Sequence, residues 1–286
     1  MDAKKKQDLR TRLVIAPTLL LVIGGVYWLD EQGGKGRWSA VVLGLLSVLG
    51  LWEYIRMVQG IGQRVPGWLL LPVAVALHAA ALFFGWHKID NELYPPLIMV
   101  TGLLFPLSLR ALSRDPSQGG MEEMGWSLLG IILLVWPFYL AQGLALRMVR
   151  TLLFVVLVSK SSDIGAYLTG ITFGRHKLIP HISPGKSVEG ALGGIASSAL
   201  VAWLLAGVCL EPLIHLGLTG ILATGIMLSI TTQVGDLVES LLKRRCGVKD
   251  SSRLLPAHGG ILDLTDSLLF SVPAFFALVV VFAGEA

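Results

Sequence analysis

Residues 236–266 read DLVESLLKRRCGVKDSSRLLPAHGGILDLTD, and the contrast between this run and its flanks decides the fold. The run holds five Lys or Arg, five Asp or Glu and one His, in a chain that is only 15% charged. On either side lie apolar stretches, 213–235 and 264–283. Each is long enough to cross a hydrocarbon core of roughly 30 Å, which takes about 20 helical residues. The whole chain is 54% hydrophobic with a mean hydropathy of +0.72. Soluble domains do not gather apolar residues into spans of this length. The sequence therefore predicts an all-α, polytopic integral membrane protein.

Counting outward from that run gives nine spans, at about 13–29, 38–57, 67–86, 94–110, 125–146, 150–170, 190–210, 213–235 and 264–283. The connections are short, with no soluble insert, repeat or low-complexity tract. One integral membrane domain over 1–286 is expected, with 1–149 free of recognisable motifs and 150–286 carrying them. The stretch after the basic N-terminus MDAKKKQDLRTR lacks a small-residue cleavage site, so it reads as a retained first span. Placing that terminus inside and alternating sides puts 17 of the 23 Lys and Arg in inner segments and five in outer ones, with Lys160 inside a span. This bias orients the chain with its N-terminus cytoplasmic and brings 171–189 and 236–263 to the cytoplasmic side. The same bias explains the net charge of +4, so no nucleic-acid partner is expected. Cys209 lies in an apolar span and Cys246 in the polar run, so neither a disulfide nor a metal site is expected of them.

Chemistry concentrates in two regions. Within 236–266, Asp263 and Asp266 stand at i and i+3, on one helix face, where a divalent metal finds hard oxygen ligands. Lys243, Arg244, Arg245, Lys249 and Arg253 suit a polyphosphate, and His258-Gly259-Gly260 lets backbone approach a ligand closely. Asp236 and Glu239, again i and i+3, end the eighth span. Helix capping by Asp263 and Asp266 is an equally open reading of the residues alone. The second region runs from Ser162-Asp163-Ile164-Gly165-Ala166-Tyr167 through Arg175, His176 and Lys177 to Ser183-Pro184-Gly185-Lys186-Ser187. Its cations lead into a helix beginning near Gly190, a natural cradle for phosphate. A P-loop is excluded, because the glycine it requires at position 180 is proline. Lys160, three residues before Asp163, reads either as a local ion pair or as a cation facing Asp263 and Asp266.

The run Ser240-x-Leu242-Lys243-Arg244-x4-Lys249-Asp250-x-Ser252-x2-Leu255-Pro256-x-His258-Gly259-Gly260-Ile261-x-Asp263, continuing to Thr265 and Asp266, resembles the signature of the phosphatidate cytidylyltransferase (CDP-diglyceride synthase) family. The Asp-x-Gly-Ala-Tyr and Ser-Pro-Gly-Lys-Ser elements are similar to that family as well. Two positions depart, Ile171 and Leu264, where the family normally has arginine. The resemblance implies CTP and phosphatidate as reactants, CDP-diacylglycerol and pyrophosphate as products, and Mg2+ as the metal, as one or two ions. It implies catalytic roles for Asp236, Lys249, Asp250, His258, Asp263 and Asp266, with Asp236, Asp263 and Asp266 as metal ligands. Asp163, Arg175, Lys177, Ser183, Lys186, Lys243 and Arg244 are the expected substrate-phosphate contacts. The setting implied is the inner membrane of a bacterium, with the lipid bilayer as a partner and a homodimer left open. Two other readings fit the same residues: a CTP-dependent enzyme for another lipid phosphate, and an inactive membrane paralogue.

Overall fold

A computed structural model describes residues 21–84, 94–113, 119–209, 217–252, 254 and 259–283. Nearly all of them are helical, and the chain divides into two compact units. The first holds Met1–Val149 and Asp250–Leu264; the second holds Arg150–Lys249 and Thr265–Ala286.

The first unit begins with α1 (21–29), which a π turn at Asp30–Gly34 closes. Then come α2 (Arg37–Gly60), α3 (Gly67–Phe84), α4 (Tyr94–Leu112) and α5 (Gly120–Gly130). A second π stretch, Ile131–Val135, runs straight into α6 (Trp136–Phe173). Asp30 starts α2 by accepting hydrogen bonds from Trp38 N and Ser39 N, amides that a helix start leaves unmatched, and from Ser39 Oγ. A buried polar chain ties three helices together. His78 Nδ1 meets Gln142 Oε1 at 2.7 Å and its Nε2 meets Ser47 Oγ at 2.8 Å, while Gln142 Nε2 donates to Ala40 O. Polar side chains persist in an apolar interior when every group finds a partner, and here each does. Tyr54 Oη donates to Trp126 O, and Arg110 Nε pairs with the buried Glu123 at 2.9 Å.

In the second unit, the later part of α6 is followed by an antiparallel ribbon, β1 (Lys177–Ile179) and β2 (Ser183–Ser187). Beyond it are α7 (Val188–Cys209), α8 (Gly217–Arg245) and α10 (Leu268–Ala283), with a short α9 (Ile261–Thr265) before the last. Hydroxyls knit these helices: Ser162 Oγ to Ser229 Oγ at 2.7 Å, and Ser198 Oγ to Val158 O at 3.0 Å. Small residues permit that approach. On α7, Leu200, Trp203, Leu204 and Val208 are all exposed, an apolar surface suited to lipid rather than water.

Among the described residues, five helical stretches are long and apolar enough to cross a membrane: Arg37–Gly60, Gly120–Phe173, Val188–Cys209, Gly217–Arg245 and Ile261–Val280. Gly67–Phe83 and Val100–Leu112 are shorter and apolar. The protein is thus an all-α polytopic membrane protein, whereas the count of nine is not reproduced as nine separate helices. The run 120–173 spans 54 residues, more than twice what one crossing needs. Met148, at φ −146° and ψ 69°, breaks it between the expected fifth and sixth spans. Much of the expected first span lies outside the described residues. The ribbon at 177–187, which the apolar spans gave no hint of, is the one sheet among the described residues.

Candidate active site

In the second unit, the two motif regions meet. Lys186, on β2, places Nζ 2.7 Å from Asp236 Oδ2, on α8. Beside this pair the carboxylates of Asp236, Glu239 and Asp266 offer oxygens that all lie within 4.8 Å of one another. Glu239 is buried and paired with Lys243 Nζ at 2.6 Å, one helical turn on. Asp236 Oδ1 accepts from Ser240 Oγ at 3.3 Å, and Asp266 Oδ1 accepts from Ser267 N at 2.6 Å. The donor set is three hard, partly buried carboxylates with cations at its edge, which fits a divalent metal such as Mg2+. Lys160 Nζ lies 3.4 Å from Asp163 Oδ2. The local ion pair, one of the two readings of Lys160, is thus formed.

Next to the cluster opens a cavity of about 480 Å³. Its polar wall includes Asp163, Ser183, Lys186, Gln233 and Asp236, and its apolar wall Tyr167, Ile171 and Leu178. The ribbon forms one side of it, and its geometry follows from local contacts. Ser187 Oγ accepts from Gly190 N at 3.1 Å, capping α7. Glu189 accepts from Arg175 N and from both His176 N and Nδ1, fixing the turn ahead of β1. Arg175, Lys177 and Arg244 are exposed; Arg244 Nε reaches Ile182 O at 3.4 Å. Lys249 is exposed as well. Cys246, just past α8, is buried, and that burial pushes its thiol above the ordinary range.

Asp263 stands in a loop of its own. It belongs to the first unit, where its Oδ2 accepts from Ser251 N at 2.8 Å, Ser251 Oγ at 2.7 Å and Gly260 N at 2.8 Å. That oxygen shapes its own loop, while Asp236, Glu239 and Asp266 form the cluster of the second unit. Gly259 and Gly260 likewise serve the protein's own acids. A Cβ on Gly259, whose φ is +89°, would stand 2.6 Å from Asp263 Oδ2, and one on Gly260 would collide with Ser251 Oγ and Glu53 Oε2. Asp250 is exposed in the same loop, and His258 lies outside the described residues.

Two side chains escaped the sequence reading: Glu53 and Gln233. Glu53 carried a usable signal, since an acid within an apolar span is costly and calls for partners. Ser251 Oγ, Ser252 Oγ, Ile261 N and Leu262 N all donate to it.

Comparison with known proteins agrees with this chemistry. A model of the cytidylyltransferase family matches residues 10–282. A phosphatidate cytidylyltransferase of Pseudomonas aeruginosa is 36% identical over 286 residues, covering 96% of each chain. One from Staphylococcus epidermidis is 46% identical over 240 residues, 82% of this chain and 87% of that relative. The uncharacterized protein YnbB of Escherichia coli is 35% identical over 250 residues, 84% of this chain and 78% of its own.

Proposed function

The chain belongs to the cytidylyltransferase family, and on that premise we propose that it transfers the cytidylyl group of CTP to phosphatidate, releasing pyrophosphate. The observation that carries this reading is the contact of Lys186 with Asp236, which joins the two motif regions beside a cavity with one polar and one apolar wall. A phosphate oxygen of the lipid attacks the α-phosphorus of CTP in line. The new O–P bond forms as the bond from the α-phosphorus to the bridging oxygen breaks, and pyrophosphate leaves with that electron pair. The nucleophile is already an anion, so no strong general base is needed.

Two anionic reactants repel, and the residues answer that problem. Lys186 and Lys243 stand ready to take phosphate oxygens, with Arg175, Lys177, Arg244 and Lys249 exposed around them. Asp236, Glu239 and Asp266 are the residues that would hold Mg2+, one ion or two. When bound, it would supply positive charge against the leaving pyrophosphate. Asp263 shapes the signature loop, and Asp250 is exposed on it. Tyr167 and Ile171 leave the cavity wall apolar where the acyl chains of phosphatidate approach. The charge asymmetry supports a multi-pass protein of a bacterial inner membrane, with its N-terminus and this site facing the cytoplasm and CTP.

Pyrophosphate release by the purified protein, with radiolabelled CTP, phosphatidate and Mg2+, tests the proposal. Labelled CDP-lipid that requires both phosphatidate and the metal is the expected result. Release without phosphatidate, or none under any condition, overturns it.

A further inference from the structure

Glu53 lies in the middle of α2 with 1% of its surface exposed. Its Oε1 accepts from Ser252 Oγ at 2.6 Å and Ile261 N at 3.0 Å. Its Oε2 accepts from Leu262 N at 2.9 Å and Ser251 Oγ at 3.0 Å. All four donors come from the single segment 250–264, about 200 residues further along the chain. Hydrogen bonds to a carboxylate are among the stronger ones, and a buried carboxylate that loses its donors is left at high cost. The amides of Ile261 and Leu262 open α9, where no intrahelical partner exists for them.

Asp263 completes the arrangement from inside the loop. Ser251 Oγ lies 2.7 Å from Asp263 Oδ2 and 3.0 Å from Glu53 Oε2, so one hydroxyl links the two acids. Gly260 passes between them, and a side chain there would strike Ser251 Oγ and Glu53 Oε2. The glycine of the signature is thus required by a residue far outside it.

We propose that Glu53 is a positioning residue for cytidylyl transfer, its carboxylate fixing Ser251, Ser252 and the first amides of α9 and so setting the conformation of the loop that bears Asp250 and Asp263. This rests on the function proposed above. Glu53 meets no substrate; it acts through the loop it holds.

The test uses the full chain in detergent as wild type, Glu53→Gln and Ser252→Ala. Two readings are taken: kcat and KM for CTP per folded molecule, and hydrogen exchange of the 250–264 peptide. Glutamine keeps one acceptor oxygen and turns an NH2 toward the remaining donors. Glu53→Gln is expected to speed exchange in 250–264 and to lower kcat, each by at least about tenfold, with KM moving far less. Ser252→Ala removes one donor and is expected to change both readings about threefold in the same directions. A role confined to fold stability would lower the melting temperature yet leave kcat and loop exchange at wild-type values, and that result overturns the proposal. If Glu53→Gln does not fold, Ser252→Ala decides by the same two readings, wild-type values again being the overturning result. A wild type that forms no CDP-lipid counts against the proposed reaction, while the exchange comparison still reports whether Glu53 orders the loop.

Discussion

Lys186 Nζ and Asp236 Oδ2 stand 2.7 Å apart although fifty residues separate them in the chain, and both side chains are largely shielded from water. The pair fastens the ribbon to α8 and places a cation at the mouth of the carboxylate cluster. Removing the charge at matched length, as Lys186→Met, is expected to lower kcat/KM for CTP about 100-fold or more, the scale of losing one preorganised charge-stabilising donor. Lys186→Arg is expected to restore only part of it, because a planar fork does not replace a compact ammonium. Steady-state kinetics at saturating phosphatidate check both.

The two aspartates of the signature separate by role. Asp266→Asn takes a carboxylate from the cluster with Asp236 and Glu239 and is expected to cut turnover by about 100-fold or more at little cost in melting temperature. Asp263→Asn disturbs an oxygen that accepts three hydrogen bonds, so a lower melting temperature and a smaller loss of turnover are expected. Equal losses of turnover with unchanged melting temperatures would return Asp263 to the metal set.

Steric context separates two motif glycines in the same way. Gly185 has nothing within 4 Å of a would-be Cβ, whereas Gly260 would meet Ser251 Oγ and Glu53 Oε2. Gly260→Ala is expected to destabilise the protein by about 1–3 kcal/mol, as overpacking does. Gly185→Ala is expected to keep the wild-type melting temperature, so any activity it loses reports contact with substrate in the cavity that Gly185 lines. Thermal unfolding in detergent, set beside turnover, reads both variants.

What the sequence disclosed follows from the range of the forces involved. Apolar spans are a local signal, and helices at 37–60, 188–209, 217–245 and 261–280 follow from it. The break at Met148 falls between the expected spans 125–146 and 150–170. Asp236, Asp266 and Lys186 were legible because their neighbours in the chain form motifs. Their direct contact was not, since it depends on the ribbon, two strands of three and five residues too short to leave a periodic signal. The spacing of Asp263 and Asp266 at i and i+3 specifies a shared helix face only inside a helix. Here α9 starts at Ile261 and ends at Thr265, before Asp266. Glu53 stood out in the sequence as an acid within an apolar span, but its partners, about 200 residues away, did not. Burial of a lone acid in α2 was its only local trace.

The last prediction concerns the side of the membrane on which the site faces. With the N-terminus inside, the C-terminal end of α8 and its cations Lys243, Arg244 and Arg245 face the cytoplasm. Arg245 is exposed at the end of that helix, which makes it a suitable place for a reporter cysteine. The native thiols interfere little: Cys209 and Cys246 are both buried, and burial holds the Cys246 thiol in its protonated, unreactive form. In Arg245→Cys, a membrane-impermeant maleimide added to intact cells is expected to give no label, and the same reagent after permeabilisation to give strong label. Labelling from outside would invert the topology and place the cluster of Asp236, Glu239 and Asp266 on the side away from cytoplasmic CTP. The charge asymmetry that sets this orientation is dominated by two blocks of five cations, the N-terminal one and the one in 236–263. Replacing Lys4, Lys5, Lys6, Arg10 and Arg12 with glutamine should therefore leave the Arg245→Cys pattern intact, because Lys243, Arg244, Lys249 and Arg253 still hold the signature loop inside.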